Sequence, residues 1–175
     1  MNTGQMLITI GAIFLLSMVI LTTNRGLITT NATMVDNRYG ILGVSLATST
    51  IEKATSRAFD NNTDTLSIDA LSSLTNVNQL GLEAGESSNN PDGFNDIDDY
   101  NCYKVTPRVD SLSFEGTNRK IAFNTYCNVD YVSVNDPRTV LNQRSWHKRI
   151  TVRVISPGMT DTIKMSSVYS YWYFR

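Results

Sequence analysis

The first 24 residues of the chain lack any charged side chain, and the first formal charge on a side chain is Arg25. The stretch from Met6 to Leu21 reads MLITIGAIFLLSMVIL. As a helix this stretch would be about 24 Å long, and with the polar residues around it the segment approaches the ~30 Å of bilayer hydrocarbon. The absence of charge therefore predicts a helix that lies in lipid or in a protein core.

Three interpretations of this uncharged segment are open. A cleaved secretory signal normally has a basic start and a small-x-small cleavage site. No Lys or Arg precedes the apolar run, and Thr30-Asn31-Ala32 is a distant and poor site. The second interpretation is a plain membrane anchor. The third is an apolar helix that starts in the membrane and then becomes the packed core of a filament, and the sequence that follows favours it.

Proline is absent before Pro91, so nothing in the first half of the chain forces a helix to break. Apolar residues continue beyond Arg25 as a stripe on one helical face. The stripe consists of Leu27, Ile28, Met34, Val35, Ile41, Leu42, Leu46, Ala47, Ile51, Ala54 and Ala58. Two organisations fit the stripe. One is a single helix from about residue 5 to 59, and the other is an anchor helix ending at Gly26, followed by a separate amphipathic helix.

Residues that carry chemistry are few. His147 is the only histidine, and the sequence has no GxSxG, phosphate-binding glycine loop or HExxH pattern. We therefore expect neither enzymatic activity nor a cofactor. Cys102 and Cys127, with one histidine, do not have zinc-ligand spacing. As a lone pair in an exported domain they are expected to form one disulfide, worth roughly 3 kcal/mol, and two buried thiols are the alternative.

The chain is expected to divide into four regions. Residues 1–25 form an apolar membrane or filament-core helix, and residues 26–60 an amphipathic helix that continues into the globular domain. Residues 61–101 form an acidic, polar connecting region, and residues 102–175 an antiparallel β domain. The expected strands are Cys102–Val105, Ser111–Phe114, Lys120–Val134, Arg149–Ile155 and Thr162–Phe174. The predicted fold class is α+β, with the second half of the long N-terminal helix packed on the sheet.

Several features of the sequence occur together in one known family. A short polar start ending in Gly4 leads directly into the uncharged helix. The segment Asp96–Asn101, DIDDYN, is similar to a DDxDDYNG motif, with Cys102 at the position of the glycine. The segment Lys148–Val154, KRITVRV, is similar to a KRITVxV strand that follows the motif. With its long helix and β-rich domain, the chain resembles the type IV pilins and pseudopilins over most of its length.

The resemblance implies a structural subunit of an extracellular, pilus-like filament on the surface of a prokaryotic cell. Its partners would be copies of itself in a helical homopolymer, the cytoplasmic membrane before assembly, and the assembly machinery. The leader would be removed between Gly4 and Gln5. The implied filament-core residues are Met6, Leu7, Ile8, Ile10, Ile13, Phe14, Leu15, Leu16, Met18, Val19, Ile20 and Leu21. Two features depart from the family: the leader has no Lys or Arg, and Thr9 replaces the usual glutamate.

Acidic residues are concentrated in the middle of the chain. From Ala58 to Tyr103 there are nine acids and no base. Carboxylates are the hard oxygen ligands that calcium prefers, so this region offers a calcium site, although its spacing does not match an EF-hand loop. The candidate calcium ligands are Asp92, Asp96, Asp98 and Asp99. A solvated acidic turn is the alternative.

Basic residues follow in the C-terminal part, where eleven bases and five acids lie between Lys104 and the end. In a filament, the acidic region of one subunit is expected to meet the basic region of the next, because complementary charge fixes register. Attraction between the two regions within one subunit is the alternative. The expected intersubunit residues are Asp96, Asp98 and Asp99 on one subunit, with Arg144, Lys148 and Arg149 on the next.

Two other functions remain as alternatives to the filament subunit. One is a minor pseudopilin of a secretion system. The other is a membrane-anchored binding or adhesion module. In that protein the basic stretch Arg138–Arg153, which contains Trp146, would form the ligand surface and bind nucleic acid.

Overall fold

The computed structural model describes residues 2–108 and 122–174, which contain one long helix and a four-stranded sheet. The helix is α1 (Thr3–Thr55), and the strands are β1 (Lys104–Arg108), β2 (Phe123–Tyr131), β3 (His147–Ile155) and β4 (Ile163–Ser170). Neighbouring strands are antiparallel and follow the chain order β1-β2-β3-β4. The predicted α+β class is confirmed. The expected strand Ser111–Phe114 lies outside the described residues.

The N-terminal helix is continuous. α1 passes through Gly26 without a break, so the chain adopts the single-helix organisation. The helix ends at Thr55, slightly before the expected residue. Contacts divide the chain into two compact units, which are the residues up to Tyr39 and those from Gly40 onward. The sequence of α1 therefore contributes to both units.

Within the second unit, small residues bring the end of α1 close to the sheet. Ala47 and Ala54 are completely buried. A Cβ atom added at Gly43 would lie only 3.0 Å from Cγ1 of Ile163 on β4. The absence of a side chain at Gly43 thus permits this close approach.

The sheet has one buried face and one open face, as alternation along its strands requires. On β3 the buried positions are Lys148, Ile150, Val152 and Val154, and they alternate with more exposed residues. Three of the four are aliphatic. The position of Lys148 on the buried face of β3 is the exception that leads to the candidate site.

The connecting region between α1 and β1 contains only short 3-10 turns among its regular elements, the last of them being Asp98–Tyr100. This turn is tied to the chain just after α1. The backbone N–H of Ala58 donates to the carbonyl of Asn95 at 3.1 Å, and the N–H of Ile97 donates to the carbonyl of Ala58 at 3.0 Å. The acidic turn is thereby placed beside the C-terminal end of the helix.

Candidate functional site

The first candidate site is the exposed apolar surface of α1. The twelve residues expected in a filament core are all exposed, with fractional exposures between 54% and 73%. Within the described residues, α1 is long and apolar enough to cross a membrane, and its most apolar window has no buried residue. An apolar surface of this size is unfavourable in water and marks a contact with lipid or protein.

The few hydroxyl groups on this part of α1 do not need water. Ser17 donates to the carbonyl of Ile13 and Thr23 to that of Val19, both at 2.8 Å. Thr9 donates to the carbonyl of Met6 at 2.9 Å, and Thr22 bonds its own helix in the same way. Such internal bonds keep hydroxyl groups satisfied in an apolar medium. Gly4 and Gln5, the expected cleavage residues, lie in the first turn of α1.

The second candidate site is centred on Lys148, whose side chain is fully buried on β3. Its ammonium nitrogen donates to Oδ1 of Asp98 at 2.5 Å, to the carbonyl of Phe59 at 2.7 Å and to Oδ2 of Asp60 at 3.0 Å. These three bonds use all the donors of a lysine. The rings of Phe59 and Tyr131 lie 4.8 Å and 5.3 Å from the same nitrogen. Lys148 therefore links β3 to the end of the helical region and to the acidic turn.

Asp60 is held in place by several donors besides Lys148. It caps the turn Asn61–Thr63, and it accepts bonds from the backbone N–H and the hydroxyl of Thr75 at 2.9 Å and 3.0 Å. Burial alone would raise the pKa of the Asp60 carboxyl, but Lys148 and the Thr75 N–H together hold that pKa below its usual range. Asp60 is thus the ionised partner of the buried lysine.

Further carboxyl groups lie beside Asp98, and the first are those of Asp96 and Asp99. Oδ1 of Asp96 accepts the backbone N–H groups of Asp98 and Asp99 at 2.8 Å and 3.2 Å. Oδ2 of Asp99 accepts those of Asn95 and Asp96 at 2.9 Å and 3.1 Å. The backbone of the turn therefore fixes one oxygen of each carboxyl group and leaves the other oxygen to its neighbours.

Two glutamates complete this carboxyl cluster, which we define as Glu83, Glu86, Asp96, Asp98 and Asp99. One ligand oxygen each of Glu83, Asp96 and Asp98 lie within 4.8 Å of one another, and the same holds for Glu83, Glu86 and Asp99. These are the described residues that could hold a metal ion. Glu83 and Glu86 belong to no recognisable motif, so the sequence did not identify them as possible metal ligands.

Burial and the close packing of the carboxyl groups raise the pKa values of three members of the cluster. Burial and the neighbouring Asp98 raise the pKa of Asp96 to about 9. Burial together with Asp99 and Glu86 raises the pKa of Glu83 to about 8, and burial with Glu86 raises that of Asp99 to about 6. Without a further cation, carboxyl groups packed this closely retain protons above their normal range.

The predicted calcium ligands are only partly brought together. Asp96, Asp98 and Asp99 belong to the carboxyl cluster, whereas Asp92 is exposed and outside both ligand groups. The backbone carbonyl of Asp92 accepts a bond from Arg57 at 3.2 Å. Asp92 belongs to the separate turn Pro91–Gly93, so the structure does not bring it together with the other three candidate ligands.

The predicted intersubunit charges require a similar correction. Asp96, Asp98, Asp99 and Lys148 are at most 1% exposed, so they bond within one chain and present no charge to a neighbour. Arg149 is partly exposed and lies 3.4 Å from Asp130, and Arg144 is also partly buried. The inward position of Lys148 likewise breaks up the expected basic surface Arg138–Arg153.

The expected disulfide is absent, since Cys102 and Cys127 are both free. Cys127 lies on the buried face of β2, whereas Cys102 is exposed and has a backbone φ of +59°. This left-handed conformation favours glycine, the residue that the similar motif has at this position. The turn at Cys102 and the alternation of β2 at Cys127 therefore place the two thiols in different environments.

The two thiols are expected to differ in reactivity. Burial raises the pKa of Cys127 to about 12, whereas Cys102 is open to solvent. Iodoacetamide should therefore label one thiol per native chain and two per denatured chain, and Cys102→Ser should abolish native labelling. Peptides of Cys102 and Cys127 found linked by mass spectrometry without reductant would contradict the free-thiol arrangement.

The open face of the sheet forms a third feature. One row across the four strands pairs Lys104 with Tyr126, Tyr126 with Arg153, and Arg153 with Lys164. These four residues line a groove of about 660 Å³. Within the described part of the chain, no ion pair joins Lys104, Arg153 or Lys164 to an acid. The row therefore offers three cations and an aromatic ring to an anionic ligand.

Comparisons of the chain with protein-family models, with curated proteins and with solved structures found no match.

Proposed function

We propose that this protein is a non-enzymatic structural subunit of a pilus-like filament on a prokaryotic cell surface, and that it polymerises through α1. The observation that carries the proposal is the exposed apolar surface of α1, which has no charged side chain before Arg25. Copies of this helix, packed side by side, would shield one another from water.

A lipid bilayer alone would not shield the whole apolar surface of α1 from water. From Thr3 to Val35 the helix is about 50 Å long, whereas the hydrocarbon of a bilayer is about 30 Å thick. Exposed apolar residues continue beyond the uncharged segment, namely Leu27, Ile28, Met34 and Val35. The proposed sequence of events is therefore insertion into the cytoplasmic membrane first, and packing against other copies when the subunit enters the filament.

The two motifs that resemble pilins also support the proposal, because they meet in one structure. Asp98 from the first motif and Lys148 from the second form a buried ion pair. Cys102 takes the backbone conformation that suits the motif's glycine. In this chain, the two segments together anchor the acidic turn on β3.

The proposal is tested by shearing cells that produce this protein. Electron micrographs of the sheared material should show filaments, and mass spectrometry should identify this chain as a component. The N-terminal sequence of that chain would show whether cleavage occurs after Gly4. A chain found only as a monomer in the membrane fraction, with no polymer under any growth condition tested, would contradict the proposal.

The groove on the open face favours one second candidate, a membrane-anchored module that binds an anionic polymer such as single-stranded nucleic acid. Its cationic row, Lys104, Arg153 and Lys164, flanks Tyr126, and aromatic rings stack on bases while cations contact phosphates. The cationic row differs from the surface expected from the sequence, since Lys104 and Lys164 lie outside the stretch Arg138–Arg153.

The double change Arg153→Glu and Lys164→Glu is expected to weaken the binding of a fluorescent single-stranded oligonucleotide by about tenfold or more, because phosphate contacts are lost. Fluorescence anisotropy of the full chain in detergent measures this effect. Arg138→Glu, an exposed charge outside the groove, is the matched control and should leave affinity nearly unchanged. Equal losses in both variants, or no binding by the unaltered chain, would eliminate this function.

A further inference from the structure

The carboxyl cluster and Asp60 together contain six carboxyl groups. In the contacts that the structure describes, the buried cation beside them is Lys148 alone. The ammonium group of Lys148 is already fully used by Asp98, Phe59 and Asp60. The remaining members of the cluster, Asp96, Asp99, Glu83 and Glu86, therefore lack a positive partner in these contacts.

Four oxygens of the cluster have no hydrogen-bond partner although they are buried, and they are Oε2 of Glu83, Oδ2 of Asp96, Oδ2 of Asp98 and Oδ1 of Asp99. Asp96 and Asp98 are 0% exposed and Asp99 is 1% exposed. Buried polar atoms normally have partners, so four unpartnered carboxylate oxygens in one cluster indicate a missing positive species.

The arrangement of these oxygens is that of ligands already held in place. One oxygen of Asp96 and one of Asp99 are fixed by backbone N–H groups, and one of Asp98 is fixed by Lys148. Calcium binds oxygen at 2.3–2.6 Å, so two ligands on opposite sides of one ion are about 4.8 Å apart. One ligand oxygen each of Glu83, Asp96 and Asp98 lie within 4.8 Å of one another, which matches this spacing.

We propose that the carboxyl cluster binds a divalent cation of the calcium class, with Glu83, Asp96 and Asp98 as ligands and with Glu86 and Asp99 completing the oxygen set. Calcium suits the site better than magnesium, because magnesium gives up its water shell reluctantly whereas these oxygens are buried. The site does not depend on filament assembly, since every ligand belongs to one chain.

The cation would cross-link segments that have little regular structure. Glu83 and Glu86 come from the connecting region, and Asp98 joins the site to β3 through Lys148. A site that exists only in the folded chain adds the free energy of metal binding to the stability of the fold. Occupancy of the site would therefore stabilise the domain from Gly40 onward.

The test uses the full chain in detergent, stripped with EGTA and then titrated with calcium near neutral pH. We expect a saturable rise in Tm of about 5 °C or more at a calcium concentration a hundredfold above Kd. Glu83→Gln should weaken calcium binding at least tenfold by calorimetry. Asp92→Asn, which removes an acid of the same region outside the cluster, is the matched control and should bind like the unaltered chain.

Three results would overturn the proposal. The first is the absence of calcium binding by calorimetry in the unaltered chain. The second is an equal loss of binding in Asp92→Asn and Glu83→Gln, which would indicate diffuse attraction to the acidic region. The third is a Tm that does not change with calcium concentration and that, in EGTA, decreases as the pH rises. This result would show that protons shared between the carboxyl groups are sufficient to neutralise the cluster. If Glu83→Gln does not fold, Glu86→Gln takes its place with the same expectations.

Discussion

Replacing Ile13 by lysine is expected to abolish filaments while the domain from Gly40 onward stays folded. Ile13 is 64% exposed in the middle of the uncharged part of α1, so it faces lipid before assembly and other copies after it. A lysine at the centre of a membrane-embedded helix costs about 3 kcal/mol or more, and an unpaired charge among packed helices is similarly unfavourable. Electron micrographs of sheared cells measure the effect.

Ile13→Leu is the matched control, because it keeps an apolar side chain of the same size and should assemble normally. Tryptophan fluorescence during urea denaturation should give both variants the same midpoint as the unaltered protein, since Ile13 belongs to the first unit. Normal filaments carrying Ile13→Lys would show that α1 is not the assembly surface.

Replacing Lys148 by methionine is expected to lower the free energy of unfolding by about 3–5 kcal/mol. Methionine fills the space of the lysine stem, but it leaves the carboxylates of Asp60 and Asp98 buried without their cation. The destabilisation comes from these uncompensated charges rather than from a cavity. Urea denaturation followed by fluorescence measures the change in midpoint.

Lys164→Met provides the control, since Lys164 is exposed on β4 and should change stability by less than about 0.5 kcal/mol. Adding Asp98→Asn to Lys148→Met should recover part of the loss, because one of the two unpaired charges is removed. Equal stability of Lys148→Met and Lys164→Met would mean that the buried ion pairs do not stabilise the fold.

The alternation of residues along β3 indicates the inward position of Lys148, although a search for motifs does not detect it. Lys148 precedes Ile150, Val152 and Val154 at alternate positions, so the strand pattern places all four on one face. A lysine on the aliphatic face of a strand must meet a carboxylate inside the domain. The pattern predicts burial, but it does not identify which of the nine acids between Ala58 and Tyr103 pairs with the lysine.

The disulfide prediction failed for a related reason. A lone pair of cysteines in an exported domain usually forms a disulfide. The bond also requires that the two side chains point at each other. Cys127 is oriented by the alternation of β2, whereas Cys102 is oriented by a turn with positive φ that no strand pattern reveals. The sequence did contain one local indication of that turn, because Cys102 occupies the position of the glycine in the DDxDDYNG motif.

The sequence by itself determined the features that depend on neighbouring residues. The lack of proline before Pro91 and of charge before Arg25 specified a long helix with an apolar start, and alternation specified the strands. Tertiary structure alone decided the partners of Lys148, which lie 50, 88 and 89 residues away, and the meeting of Glu83 with Asp96 and Asp98. Helix and strand patterns arise from bonds and packing at short, fixed spacings, whereas an ion pair or a ligand set depends on how distant segments are brought together.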